Sequence, residues 1–167
     1  MKGISVVLCS LFFLGCSCTP PVPEEDGNGM KNQLYNSLDN LEYDKACPIA
    51  LKMAPQRDTD VLVILYECFR KYPGEIGYSE KQRNDYALRI LKELLDREDS
   101  AAYSLLQDVY YFGYFGVRKS KAIGDCWLID AAMSHDSKKC QEMSSELAGL
   151  KYLQFETDDK NQGIGIK

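Results

Sequence analysis

Few side chains in this chain of 167 residues are of types and spacings that could do chemistry. Its one histidine, His135, is followed by Asp136 and then by Cys140. An imidazole, a carboxylate and a thiol could begin a zinc set or a Cys–His dyad. A structural zinc site needs four N or S ligands, however, and the sequence has no second His and no Cys-x-x-Cys. A polar residue in a turn between two helices is the simpler reading of His135. Four carboxylate pairs stand out: Glu24/Glu25, Asp58/Asp60, Glu98/Asp99 and Asp158/Asp159. General acid–base work needs carboxyls held in a cleft with separated pKa values. These pairs fall in a linker, at helix starts and in a tail, where capping and solvation account for them. Neither a metal nor any other cofactor is expected, nor is catalysis.

The cysteines carry more information. Of the seven, Cys9 lies in the apolar run Ile4–Leu14, which follows Lys2 and is too short to span a bilayer. Residues 1–15 fit a secretory signal peptide. The run ends Phe13-Leu14-Gly15-Cys16, a pattern that resembles a bacterial lipobox, with Cys16 the lipidated residue and Cys18 a second candidate. A lipid anchor would hold the body against a membrane surface. Ser17, rather than Asp, follows that cysteine, which in a Gram-negative envelope directs the expectation to the outer membrane, facing the periplasm. Residues 16–29, rich in Pro, Gly and acids, read as a flexible tether. The formal net charge is −5, with no clustered Lys/Arg, so nucleic acid is not an expected partner.

Four cysteines remain in the body, in a compartment that permits disulfides. Cys47 and Cys68 flank the turn at 54–58 at comparable distances on successive helices, so they are a candidate bridge, with buried free thiols the alternative. Cys126 and Cys140 fit less well. With the turn near 136, they would differ by about 9 Å along the helix direction at about 1.5 Å per residue, beyond the Cα separation of about 7 Å a disulfide tolerates.

The elements that must position these residues are helical. Met30–Leu41 and Asp44–Ala54 form a first pair, with Pro48 early in the second helix and Pro55 ending it. Residues 59–72 place Val61, Leu62, Leu65, Cys68, Phe69 and Tyr72 at helical spacing, with Asp58 or Asp60 as cap. Ser79 and Gln82 suit a capping box for a strong amphipathic helix over 80–96. Ala102, Leu105, Leu106, Val109, Tyr110 and Gly113 share one face of the next helix. Gly113 suits a helix stop, and Gly116 a permissive turn before Val117 docks into the core. Ile123, Trp127, Ala131 and Ala132 form the buried face of the following helix. Residues 137–153 predict a capping helix with Cys140, Met143, Leu147 and Leu150 on one side. No window shows sustained period-two alternation, and 156–167 read as a disordered tail.

The arrangement Leu106, Tyr110, Gly113, Gly116, Val117, then Trp127 and Ala131–Ala132, resembles one unit of the Sel-one-like repeat family, relatives of the tetratricopeptide solenoids. Leu65, Phe69 and Gly77 resemble a weaker earlier copy. There is one extra residue between the two glycines, Gly124 stands where that family usually has Ala, and His135 where a turn Gly is usual. The resemblance implies an all-α, short right-handed helical-repeat solenoid of about seven helices, occupying residues 30–155. It implies non-catalytic binding of a protein partner on a concave face. The family includes secreted immunity proteins that neutralise toxins, among them type VI secretion effectors, which makes immunity the alternative role. In cysteine-rich relatives the partner of a cysteine like Cys140 lies near position 133, here Met133. Some of those relatives are described as β-lactamases, but no Lys here has a Ser three residues before it, as a Ser-x-x-Lys site would need.

Within the clear repeat, Tyr111, Tyr114 and Phe115 exceed what the core requires. With nearby Gln107 they form the expected partner surface, since exposed aromatics anchor interfaces. Phe112 is expected to pack under the loop. The surface around Glu67, Arg70 and Lys71 of the weaker repeat is the alternative place for the partner.

Overall fold

The computed structural model describes residues 27–131, 137–158 and 163–166. Cys16 and Cys18, the expected signal peptide and most of the expected tether, together with Ala132, His135, Asp136 and Asp159, lie outside the described residues, as do the side chains of Ala131 and Asp158. The body is all-α. Its helices are α1 (Gly27–Asp39), α2 (Tyr43–Met53), α3 (Thr59–Lys71), α4 (Glu80–Asp96), α5 (Ala101–Phe112), α6 (Lys121–Asp125) and α7 (Lys138–Met143). Short 3₁₀ turns follow α2, α5 and α7. Through α6 each helix packs on the next in sequence.

Local chemistry explains the boundaries. The Asp58 carboxylate accepts from the backbone N–H groups of Asp60 and Val61, fixing the start of α3. Ser79 and Gln82 form the reciprocal capping box expected for α4. Gly113 ends α5 at φ +73°, in the left-handed region where a side chain is disfavoured. Val117 then enters the core at 6% exposure. The inward stripes are continuous: Leu62, Leu65 and Phe69 of α3 and Ile90, Leu91 and Leu94 of α4 are buried together with Leu106 and Tyr110 of α5. Trp127 is fully buried, stacks on Tyr103 at 6.1 Å and donates its indole N–H to the Ser144 hydroxyl at 3.0 Å.

Three expectations need correction at the C-terminal end. Cys126 and Cys140 are bonded, with Cα atoms 5.6 Å apart. A difference of about 9 Å holds only for one regular helix running to a turn at 136. Instead α6 ends at Asp125 and the chain continues as a π-helical stretch, Cys126–Ala131. Its wider turns change both the advance along the axis and the direction of the side chains. Second, the capping helix is only α7, followed by a 3₁₀ turn at Ser145–Leu147. Ser144 breaks it by bonding its hydroxyl back to the Cys140 carbonyl, and Met143 is left exposed.

Third, the tail is not structureless. Strand β1 (Phe155–Asp158) pairs antiparallel with β2 (Gly163–Ile166), Phe155 opposite Ile166. The hairpin returns to α2 and α4: Ile166 is buried, and the Tyr86 hydroxyl donates to its carbonyl at 2.7 Å. The Cys47–Cys68 candidate, by contrast, is present as a bridge between α2 and α3, with Cα atoms 5.7 Å apart.

Candidate functional site

Helices α1 and α3 enclose an open cleft of about 220 Å³. Leu38 of α1 and Val63 and Ile64 of α3 line it, and Cys68, locked to Cys47, adds disulfide surface. Tyr43 at the start of α2 and Tyr72 at the end of α3 stack at 3.8 Å, nearly parallel, at its edge. The position of each lining residue follows from the periodicity of α3. Leu62, Leu65 and Phe69 take the core side, which leaves Val63, Ile64, Glu67 and Lys71 half-buried or exposed on the opposite stripe.

Glu67 joins this cleft to a second patch. Its carboxylate accepts two hydrogen bonds from one Arg70 nitrogen, at 2.7 and 2.9 Å, and pairs with Lys71 at 2.8 Å. Burial alone would raise the Glu67 carboxyl, but the bonds from Arg70 and Lys71 outweigh it and hold it below the usual glutamate range. The Arg70 guanidinium also lies over the Tyr114 ring, 5.1 Å from its centroid, and Tyr114 leans on Phe112 at 5.5 Å. Beneath them the Tyr66 hydroxyl is fully buried and makes no hydrogen bond. Burial pushes it far above the normal tyrosine range. The face formed by α1, α3 and the end of α5 thus offers an apolar slot, a charged cluster and exposed aromatic surface, side by side.

The expected partner residues separate on inspection. Phe115 belongs to the core side of its loop: at φ +56° its ring meets Tyr66 edge-on at 5.2 Å. Tyr111 is half-buried. Its hydroxyl donates to Asp125, and its ring lies where a Cβ on Gly124 would come within 2.8 Å. The glycine at the position where the resembled family has alanine is therefore matched to a tyrosine. Gln107 is half-buried on α5. Tyr114 keeps a half-exposed position at the charged cluster. Phe112, expected under the loop, is instead 53% exposed and meets the loop through the Tyr114 ring. The groups around Glu67, Arg70 and Lys71 are thereby joined to Tyr114. The sequence does not predict the cleft, because neither Leu38 nor the Tyr43–Tyr72 stack is marked by any local motif.

Among the described residues no three His, Cys, Asp or Glu side chains converge as a metal set. Cys47, Cys68, Cys126 and Cys140 are all in disulfides. No described helix is long and apolar enough to cross a membrane. Compared with protein-family models, with curated proteins and with solved structures, the chain matches none.

Proposed function

We propose that the protein is a non-catalytic, protein-binding helical-repeat protein, tethered by lipid at Cys16 to the envelope and facing the periplasm. The observation that carries the binding role is the continuity, through Glu67, of the Leu38–Val63–Ile64 cleft with the Arg70–Tyr114–Phe112 patch. A slot of about 220 Å³ accepts one or two apolar side chains. The charged rim and exposed rings around it suit a polypeptide, since aromatic and Arg groups dominate protein interfaces. The order of the helices, each packed on its successor, is consistent with a short right-handed solenoid of paired helices presenting this face.

The test is a site-specific photo-crosslinker at Ile64 or Phe112 in the cell envelope. Both positions should capture the same protein, and Lys71→Glu, at the exposed edge of the cleft, or Phe112→Ala should each lose it while melting nearly unchanged. Capture of different proteins from the two positions, or capture that survives both substitutions, would show that the face is not one interface. Acyl labelling lost in Cys16→Ser supports the tether; labelling that persists there and disappears in Cys18→Ser moves the anchor.

A further inference from the structure

Residues 163–166 cover a surface built by α2, the start of α4 and the core side of α3. Residue 166 is held by both of its backbone polar groups. The Tyr86 hydroxyl donates to the Ile166 carbonyl at 2.7 Å, and the Ile166 N–H donates to the Tyr78 hydroxyl at 3.3 Å. In a strand, the N–H and C=O of one residue point to the same edge. Two tyrosine hydroxyls therefore take the place a third strand would occupy beside β2. The rings belong to an aromatic group: Tyr78 and Tyr86 meet edge-to-face at 5.2 Å, and Phe69 lies about 6 Å from each. The Ile166 side chain is buried with the core while β2 packs against α2.

The same segment has little to hold it in place by itself. An isolated two-stranded hairpin is marginal in water, and Gly163 and Gly165 lose more backbone freedom on ordering than other residues would. Among the described residues it is held by the tyrosine pair, by the buried Leu153 and Ile166, by the Tyr152 hydroxyl bonded to Asp96 at 2.7 Å, and by one arginine. Arg57 bonds to the Leu153 carbonyl at 2.9 Å, pairs with Glu93 and lies over the Phe155 ring at 5.8 Å.

We infer that the groove between α2 and α4, walled by Tyr78 and Tyr86, reads one extended strand bearing a β-branched apolar residue, and that Gly163–Ile166 fills it in cis as a displaceable occupant. The partner that fits is an extended apolar segment of another chain, held by its backbone through the two hydroxyls and by one Ile or Val side chain. This is strand recognition by side chains instead of by a sheet edge. It uses the Phe69 stripe of α3 and not the Ile64–Glu67 stripe that lines the first cleft.

The experiment uses the full chain and a fluorescent peptide, Gly-Ile-Gly-Ile-Lys. Occupation in cis lowers apparent affinity by the fraction of time the groove is free. The Ile166→Asp variant, which weakens the cis occupant, should bind the peptide at least about 10-fold more tightly than the wild type does. Adding Tyr86→Phe should abolish that gain. Equal binding by wild type and Ile166→Asp, with helical circular dichroism retained, overturns the inference. Should Ile166→Asp fail to fold, amide exchange in the wild type decides. Saturating peptide should speed exchange at Ile166 while leaving α4 protected, and unchanged exchange at Ile166 refutes displacement.

Discussion

Gly124→Ala should destabilise the protein, although the same change in an ordinary helix stabilises it by about 1 kcal/mol. A Cβ at 124 would stand 2.8 Å from Tyr111 Cδ1, 2.9 Å from Cε1 and 3.2 Å from Cγ. Carbon atoms pack best at about 3.5–4.0 Å, so the ring must retreat by roughly 1 Å. It is not free to do so. Its hydroxyl donates to Asp125, and Lys121 bonds the same carboxylate at 2.6 Å. Overpacking of this kind costs about 1–3 kcal/mol, which after the helix gain leaves a net loss of up to about 2 kcal/mol. In a Tyr111→Ala background the obstruction is gone, and Gly124→Ala should recover its ordinary gain. Denaturant unfolding of the four proteins in this cycle should give a coupling of about 1–3 kcal/mol. A Gly124→Ala protein more stable than the wild type, with Tyr111 in place, would refute the packing. It would also return Tyr111 to the free surface as a candidate partner contact.

Trp127→Ala should cost about 3–5 kcal/mol in chemical denaturation, the range for removing a buried aromatic; a loss below about 1 kcal/mol would place the indole in solvent. Non-reducing peptide maps of oxidised protein should recover 47–68 and 126–140 as the body's disulfides. With its cysteines 21 positions apart, the first should be worth about 3 kcal/mol on a chain-entropy account, and Cys47→Ala/Cys68→Ala measures that. Asp58, through its bond from Lys31, and Glu67 both titrate below their ordinary values in the folded protein. Their contribution is therefore present above the unfolded carboxylate pKa of about 4 and is lost as pH falls through the folded values. The melting temperature of Asp58→Asn/Glu67→Gln should then decline less from pH 5 to pH 3 than that of the wild type; parallel declines would show that neither pair contributes.

The helices were legible because their signals are local. Asp58, the Ser79–Gln82 box and Gly113 announce ends within a turn, and Leu62, Leu65 and Phe69 repeat at a period only a helix satisfies. What stayed hidden depends on partners distant in sequence. Residues 163–166 carry two glycines and no polar–apolar alternation long enough to mark a strand. Their order comes from Tyr78 and Tyr86, about eighty positions earlier. The Cys126–Cys140 pair stays open in the sequence because a π-helical stretch leaves no composition signal, and regular helical arithmetic does not hold there. In the candidate site, Glu67, Arg70 and Lys71 were visible as a charged turn of helix. The Tyr43–Tyr72 stack joins the ends of two helices and has no spacing rule.

The pattern of connections also sets an order of assembly. Each helix from α1 to α6 meets its sequence neighbour, and the two disulfides close separations of only 21 and 14 residues. Loops this short close at small entropic cost, and contacts of low sequence separation form early. A chain made from its N-terminus can bring Cys47 and Cys68 together once α3 has formed, long before Ile166 exists to be bound. The Tyr86–Ile166 bond spans 80 residues, so it closes last. Until then the aromatic wall of Phe69, Tyr78 and Tyr86 stands uncovered, and the newly made protein has its longest exposure to aggregation there.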